Sequence, residues 1–319
     1  MESILITGGA GFIGSNLAEA LLSMGHRVAV IDDLSTGKME NIDALLGNPR
    51  MSFVRGSILN AALLESIIEQ DGITLISHQA AIPSVSKSIL DPAKSLEANV
   101  VGTATLLEAA ARRKCRRVVF ASSSSVYGDT PELPKRESMQ LNPKSPYAVS
   151  KAAKEMLAKV FSGLYGMEIV GLRYFNVYGR RQDPASEYAA VVPKFVTRAM
   201  RNEPVTIDGD GLQTRDFTYI DDVIQANALA LTGQGIKTGF FNIAYGERIS
   251  VLELARMILK LTGSRSEIVH NPPRPGDVRD SLADIGAARE SLGYAPRFDL
   301  PAGLKETISY FARELAHRA

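Results

Sequence analysis

The apolar residues of this chain come in short runs, and the segments between them carry a helical period. Runs at residues 4–7, 27–31, 52–55, 74–77, 117–122 and 168–173 are strand-like, and amphipathic segments at 12–24, 61–69, 92–113 and 146–165 are helix-like. Short apolar strands alternating with helices predict a parallel sheet covered on both faces. The fold class expected is therefore α/β, a Rossmann-type doubly wound parallel sheet. Past residue 173 the pattern loosens. Helices are predicted near 189–201, 221–231 and 251–262, short strands at 205–207 and 240–243, a Pro/Gly-rich stretch at 271–277, and two last helices ending near 317. No repeat, low-complexity tract or long linker interrupts the chain. A large domain over 1–175, completed by parts of about 216–243, is expected to share elements with a smaller mixed α/β lobe built from 176–215 and 244–319.

Composition narrows the classes. A chain of 319 residues, 45% hydrophobic and 22% charged, buries a sizeable core as an ordinary globular protein. A net charge of +1 gives no global field to recruit nucleic acid or membrane. The basic cluster Arg112, Arg113, Lys114, Arg116 and Arg117 falls at a predicted helix C-terminus, where cations are favoured. A solvated helix end accounts for it better than RNA binding. The single Cys115 excludes an internal disulfide and fits a reducing cytoplasm. His26, His78, His270 and His317 have no metal-ligand spacing, so no metal is expected. The N-terminus lacks a basic signal-peptide region, and no apolar run approaches the ~18 residues of a membrane span.

Two stretches suggest chemistry. The first strand runs into Gly8-Gly9-Ala10-Gly11-Phe12-Ile13-Gly14 and then a helix, the context of a dinucleotide fingerprint. It reads as GxGxxG from Gly9 or GxxGxxG from Gly8, and either lets the backbone approach a pyrophosphate at a helix N-terminus. The next strand ends at Asp32, near where an acid meets the adenosine ribose. Carboxylates at Asp32 and Asp33 repel a ribose 2′-phosphate, which favours NAD over NADP, with Lys38 the opposing cation nearby. In the second stretch, Ser145 is a good N-cap and Pro146 suits the first helical position. Tyr147 and Lys151 then share one helix face. For the phenol to act as a base at neutral pH its pKa must fall by about three units, roughly 4 kcal/mol. One cation supplies ~1 to 3 units, so a second positive charge, such as an oxidised nicotinamide, is needed. Alone, the pair reads more readily as a solvated helix face, since short motifs recur by chance.

Together TGGAGFIGS (7–15), SSSSVYGD (122–129), SPYAVSK (145–151), RYFNVYG (173–179) and RPGDVRD (274–280) resemble the extended short-chain dehydrogenase/reductases, specifically nucleotide-sugar epimerases of the UDP-galactose 4-epimerase type. The resemblance runs from residue 3 to about 315. It implies that Ser123 works with Tyr147 and Lys151, its hydroxyl hydrogen-bonding the sugar 4-OH. It places Gly8, Gly11, Phe12 and Ile13 on the pyrophosphate, Asp32 on the ribose, and Leu34, Ser35, Thr36, Gly37, Ser57 and Ile58 on the adenosine side. Gln79, Ala80 and Ala81 would lie on the far phosphate face, Asn99 behind the active site, and Tyr174 near the carboxamide, with Lys151 also holding the nicotinamide ribose. Ser84, Ser123, Ser124, Asn176, Ala190, Val191, Ile207, Arg215, Arg274, Asp277 and Ser281 would meet the UDP-sugar, the two arginines binding the diphosphate and Asp277 the ribose. Two positions depart from the pattern: Ser57 stands where many members carry an Asp, and Pro83 where some carry a Lys.

Members share C4 oxidation and differ afterwards. The 4,6-dehydratases carry Asp-Glu directly after the catalytic Thr, and UDP-glucuronate decarboxylases keep the Glu. Here the positions are Ser124 and Ser125, which leaves 4-epimerisation as the simplest outcome. Ser281, seven residues after Arg274, and the stretch 188–194 resemble the UDP-N-acetylglucosamine 4-epimerase branch. The expected reaction interconverts UDP-GlcNAc and UDP-GalNAc, with UDP-Glc and UDP-Gal as a second pair. The rivals are another NAD-dependent nucleotide-sugar dehydratase, decarboxylase or reductase, and a cofactor-sensing or RNA-associated binding protein that kept the fold without the chemistry. The intact Ser123, Tyr147 and Lys151 set argues against the binding protein. Relatives pair the helices at 92–113 and 146–165 as a four-helix bundle, so a homodimer is expected, although core packing within one subunit would explain the same apolar faces.

Overall fold

A computed structural model describes residues 1–184, 190–272 and 279–318. Its main sheet has seven strands: β1 (Ser3–Thr7), β2 (Arg27–Asp32), β3 (Met51–Arg55), β4 (Leu75–His78), β5 (Arg117–Ser123), β6 (Glu168–Tyr174) and β11 (Gly239–Ile243). They are all parallel, in the order β11-β6-β5-β4-β1-β2-β3. The chain leaves β1 towards β2 and β3, then returns to lay β4 on the other side. That reversal opens a crevice at the strand C-termini, where doubly wound sheets bind ligands. Thr7 is in register with both Ile31 and His78, and Ser123 with Tyr174, so the candidate residues line up along one sheet edge.

Successive strand residues point to opposite faces of the sheet, and both faces are buried. Ile4, Ile6, Val28, Val30, Val119 and Val170 pack on one face, with α1 (Phe12–Ser23) and α8 (Ile220–Thr232). Leu5, Ala29, Ile31, Ile76, Val118 and Ile169 pack on the other, with α2 (Ala61–Gln70) and α5 (Gly102–Arg112). Beyond the sheet lie pairs of short strands: β7 (Val177–Tyr178) with β10 (Thr218–Tyr219), β9 (Thr214–Arg215) with β12 (Ile249–Ser250), and β8 (Val205–Asp208) with β13 (Ile268–Asn271). The helices α7 (Val191–Met200), α9 (Val251–Thr262), α10 (Gly286–Leu292) and α11 (Leu300–Arg318) accompany them.

Three features differ from the sequence reading. The helix expected over 92–113 is α4 (Pro92–Leu96), a π-helical segment (Glu97–Val101) and α5, preceded by an unforeseen short helix, α3 (Val85–Leu90). The basic cluster is only partly a solvated helix end. Arg112 and Arg113 pair with Glu65, Glu69 and Glu108, and Arg116 with Glu2, whereas Arg117 is a buried strand residue. Its guanidinium meets Glu168 at 2.7 Å and donates to the carbonyls of Ala230, Leu231 and Gly233 at the end of α8. Among the described residues no helix is long and apolar enough to cross a membrane.

Candidate active site

The glycine turn leaves room that only glycine leaves. Gly8 has φ +67°, and a Cβ there would sit 2.7 Å from the Ala80 amide nitrogen. Gly11 caps α1 without any side-chain acceptor, so the first helical amides stay available to an anion, as the residues of a pyrophosphate cradle require. Asp32, at the end of β2, accepts from the amides of Ala10 at 3.0 Å and Leu34 at 2.8 Å. Burial pushes its carboxyl up against those two bonds. Gly37 packs on it so closely that a Cβ would lie 2.7 Å from Oδ2. Lys38 pairs with Asp183 at 3.1 Å, so this cation is already met by a carboxylate.

The rest of the predicted cofactor set is uneven. Ser35 bonds back to Asp33, and Thr36 beside it is exposed. Ser57 accepts from the Leu59 amide at 3.2 Å. Ile58 is buried in the core against Gly102. Gln79 donates to Ser77 and Asn227, Ala80 donates its amide to Thr7 Oγ1, and Asn227 donates to the Tyr174 hydroxyl at 2.8 Å. Burial pushes the Tyr174 phenol up to about 12. Asn99, buried in the π-helical segment, accepts from the Ile82 amide and donates to Ser150.

The helix α6 (Pro146–Tyr165) begins as its sequence dictates, with Ser145 Oγ accepting from the Ala148 amide at 3.1 Å and Pro146 in the first turn. Tyr147 and Lys151 share one face, with the ammonium over the phenol ring. That ammonium lies 5.4 Å from the Tyr147 ring centroid and donates to the Ala121 carbonyl at 2.8 Å. Burial pushes the Tyr147 phenol up, opposed by its hydrogen bond with Ser123, and burial brings Lys151 down to about 8. Spacing correctly gave the shared face. It could not give the desolvation, which outweighs the Ser123 hydrogen bond and leaves the phenol in need of positive charge.

Sequence reasoning missed Lys154, one turn along the same face. It is buried, 3.1 Å from His78 Nε2, and burial together with the Lys151 charge holds its ammonium well below the ordinary value. The i, i+3 spacing from Lys151 was the available signal. Ser125 donates its amide to Ser123 Oγ, and neither Ser124 nor Ser125 brings a carboxylate to the loop.

On the sugar side Asn176, at φ +34°, donates to the Asp216 carbonyl at 2.8 Å and to Ser281 Oγ at 3.4 Å. Arg215 is half-buried and donates to the carbonyls of Thr214 and Arg279. Ser84 caps α3 through the Lys87 amide. Ala190 is exposed and Val191 half-buried at the start of α7. Ile207 is buried in β8. Arg274 and Asp277 lie outside the described residues. Among the described residues no group of three or more His, Cys, Asp or Glu could hold a metal.

The model of the NAD dependent epimerase/dehydratase family matches residues 4–244. The chain is 41% identical to a putative UDP-glucose 4-epimerase of Methanocaldococcus jannaschii, over 96% of this chain and 97% of that one. Among solved structures it is similar to the UDP-glucose 4-epimerase of Thermotoga maritima with UDP-glucose, at TM-score 0.93 and 39% identity over 98% and 99% of the two chains. It is also similar to a UDP-N-acetylglucosamine 4-epimerase of Methanobrevibacter ruminantium in complex with UDP-N-acetylmuramic acid, at TM-score 0.92 and 36% identity over 98% and 99%.

Proposed function

Because this chain belongs to the NAD dependent epimerase/dehydratase family, we propose that it is an NAD-dependent UDP-hexose 4-epimerase acting on UDP-GlcNAc and UDP-GalNAc, with UDP-Glc and UDP-Gal as a second pair. The observation that carries this reading is the Ser123–Tyr147–Lys151 constellation beside a loop, Ser124–Ser125, that holds no acid for elimination or decarboxylation. The turn at Gly8 and the uncapped start of α1 hold the NAD pyrophosphate, and Asp32 its ribose. NAD bound there would supply a reversible hydride acceptor for C4 and a positive charge near the phenol.

The chain's own groups do the remainder. Tyr147 accepts the 4-OH proton with Ser123 aligning the hydroxyl, and hands it back after the hydride returns. Lys151 stabilises the phenolate. Arg215 and Asn176 hold the diphosphate about which the 4-keto sugar turns to present its other face. Ser281, next to Asn176, leaves space for an N-acetyl group. Residues 1–175 with parts of 216–243 form the cofactor unit, and 176–215 with 244–319 the sugar lobe.

The partner is a second copy of this chain. The side chains of Val149, Met156, Val160 and Leu164 form an exposed apolar stripe on α6, while Ile89, Leu90 and Val101 are exposed on α3 and the π-helical segment. Single exposed apolar residues are ordinary, whereas one helix baring four on one stripe is an interface pattern. Met156→Glu should shift dimer to monomer by analytical ultracentrifugation, and an unchanged mass would remove this interface. Nucleic acid and membrane are not partners in this reading, and the buried Cys115 thiol suits the cytoplasm.

The deciding measurement is NMR of the purified protein with UDP-GlcNAc and UDP-Glc in separate tubes, following the anomeric signals. UDP-GalNAc appearing in the first tube supports the full assignment. UDP-Gal alone would keep the reaction and discard the N-acetyl preference. No conversion with NAD added would overturn the epimerase.

A further inference from the structure

Tyr147 is held at both its backbone polar groups by residues other than the helix's own cap. Its amide is one of the α6 donors with no intrahelical acceptor. Ser145 serves the next amide, that of Ala148, and the Tyr147 amide is taken instead by Ser88 Oγ at 3.0 Å. Ser88 is fully buried in α3 and donates its own proton to the Val85 carbonyl at 2.6 Å, so its lone pairs stay turned to Tyr147. On the other side, the Tyr147 carbonyl accepts from Ser150 Oγ at 2.7 Å, and Ser150 is in turn held by Asn99 Nδ2 at 3.1 Å. The residue bearing the phenol is thus tied to α3 through one bond and to the π-helical segment through two.

We propose that Ser88 is a positioning residue for the epimerisation, fixing the Tyr147 phenol against Ser123 and Lys151 from a helix that carries none of the reacting groups. The inference rests on the reading of Tyr147 as the proton acceptor. Without Ser88 the partly buried amide is left unpaired, and the start of α6 turns to find a partner. A phenol at the end of a long side chain magnifies that turn, and misplacements of about 1 Å cost on the order of 100-fold in rate.

The test is Ser88→Ala, with Ser88→Thr and Ser88→Cys, assayed for kcat, KM, bound NAD and the pH profile of kcat. Asp299→Ala, which removes the acceptor of the Ala302 amide at the start of α11, calibrates a plain loss of stability. The expected result for Ser88→Ala is a kcat lower by about 10- to 100-fold, with KM and bound NAD little changed and the acidic limb of kcat moved to higher pH. Thr, which keeps the hydroxyl, restores most of the rate, and Cys, a weak acceptor, falls between. Asp299→Ala should lower the Tm and leave kcat and its pH profile alone.

The proposal is overturned if Ser88→Ala keeps wild-type kcat. It is equally overturned if the pH profile stays fixed while kcat falls only as the Tm does. Should the Ala variant not fold, a Cys variant with wild-type kcat overturns it as well. Tyr147→Phe separates the two readings. If it is inactive while Ser88→Ala is normal, only Ser88 fails, and if it stays active the base assignment fails first.

Discussion

The cofactor half of the cleft and the sugar half are built on opposite plans. In the first, Gly8, Asp32, Gln79 and Ser123 stand at or just beyond the C-terminal ends of adjacent strands, and the register of a seven-stranded sheet sets their spacing. In the second, Asn176, Arg215 and Ser281 come from distant parts of the chain. Two-residue strands, the bridge between Thr214 and Asp280, and the buried Asp216 gather them. The Asp216 carboxylate accepts from the amides of Tyr245, Gly246 and Ala283, so one acid replaces a sheet as organiser. The first half is fixed by many weak backbone bonds, the second by a few strong polar ones. Damage should therefore spread differently in the two.

The largest effect belongs to the cofactor half. Tyr147→Phe should lower kcat by roughly 10²- to 10⁴-fold while NAD and UDP-sugar still bind, measured by turnover and calorimetry. Loss of binding along with rate would blur the separation of chemistry from the scaffold. Next, Gly8→Ala puts a Cβ on a positive φ and against Ala80, and strain of about 1 to 3 kcal/mol should weaken NAD by ~10- to 100-fold. UDP titrated into the same variant should bind as before, and a parallel loss would show the halves to be one unit.

A third test strikes only the sugar half. Ser281→Tyr should suppress turnover of the N-acetyl pair by about 10-fold or more relative to the glucose and galactose pair, the scale on which pocket size discriminates. Equal losses on both pairs would remove Ser281 as the gate. The smallest effect is one of pH. Burial raises Asp216 to about 7 against its three amide donors, which is above the 3.8 of an exposed Asp. The folded state then holds the proton that the unfolded chain releases, so stability falls as pH rises between about 4 and 7 and is level beyond. Protection factors, with the base-catalysed intrinsic rate divided out, should fall between pH 5 and 7 at residues 245, 246 and 283 and stay level at residues 5, 29 and 119 in the main sheet.

This contrast also explains what could be read in advance. Strands and helices of the first half were legible because a buried parallel strand is an apolar run and a glycine turn is a local pattern. The start of α6 was legible from Ser145 and Pro146 alone, and the observed cap is the one their chemistry dictates. Arg117 was not legible, because its partners at 168 and 230–233 leave no local mark beside it, and among four other cations it looked like surface. The burial of Ile207 was hidden for a related reason: a resemblance gives position in the chain but not which way a β8 side chain faces. The depth of Tyr147 and the hold of Ser88 on it are likewise tertiary facts. Neither has a spacing to betray it.

The pairing of β11 with β6 has a consequence for how the chain is made. Synthesis runs from one end, and roughly 70 residues separate the two strands, about 4 to 14 s at ~5 to 20 residues per second. During that interval β6 is an unpaired sheet edge, the kind of surface on which neighbouring chains join. Arg117 has then met Glu168 but not the carbonyls of Ala230, Leu231 and Gly233 that complete its hydrogen bonds. The nascent protein is thus most adhesive in the middle of its birth, and a pause in translation between residues 174 and 239 would lengthen that exposure.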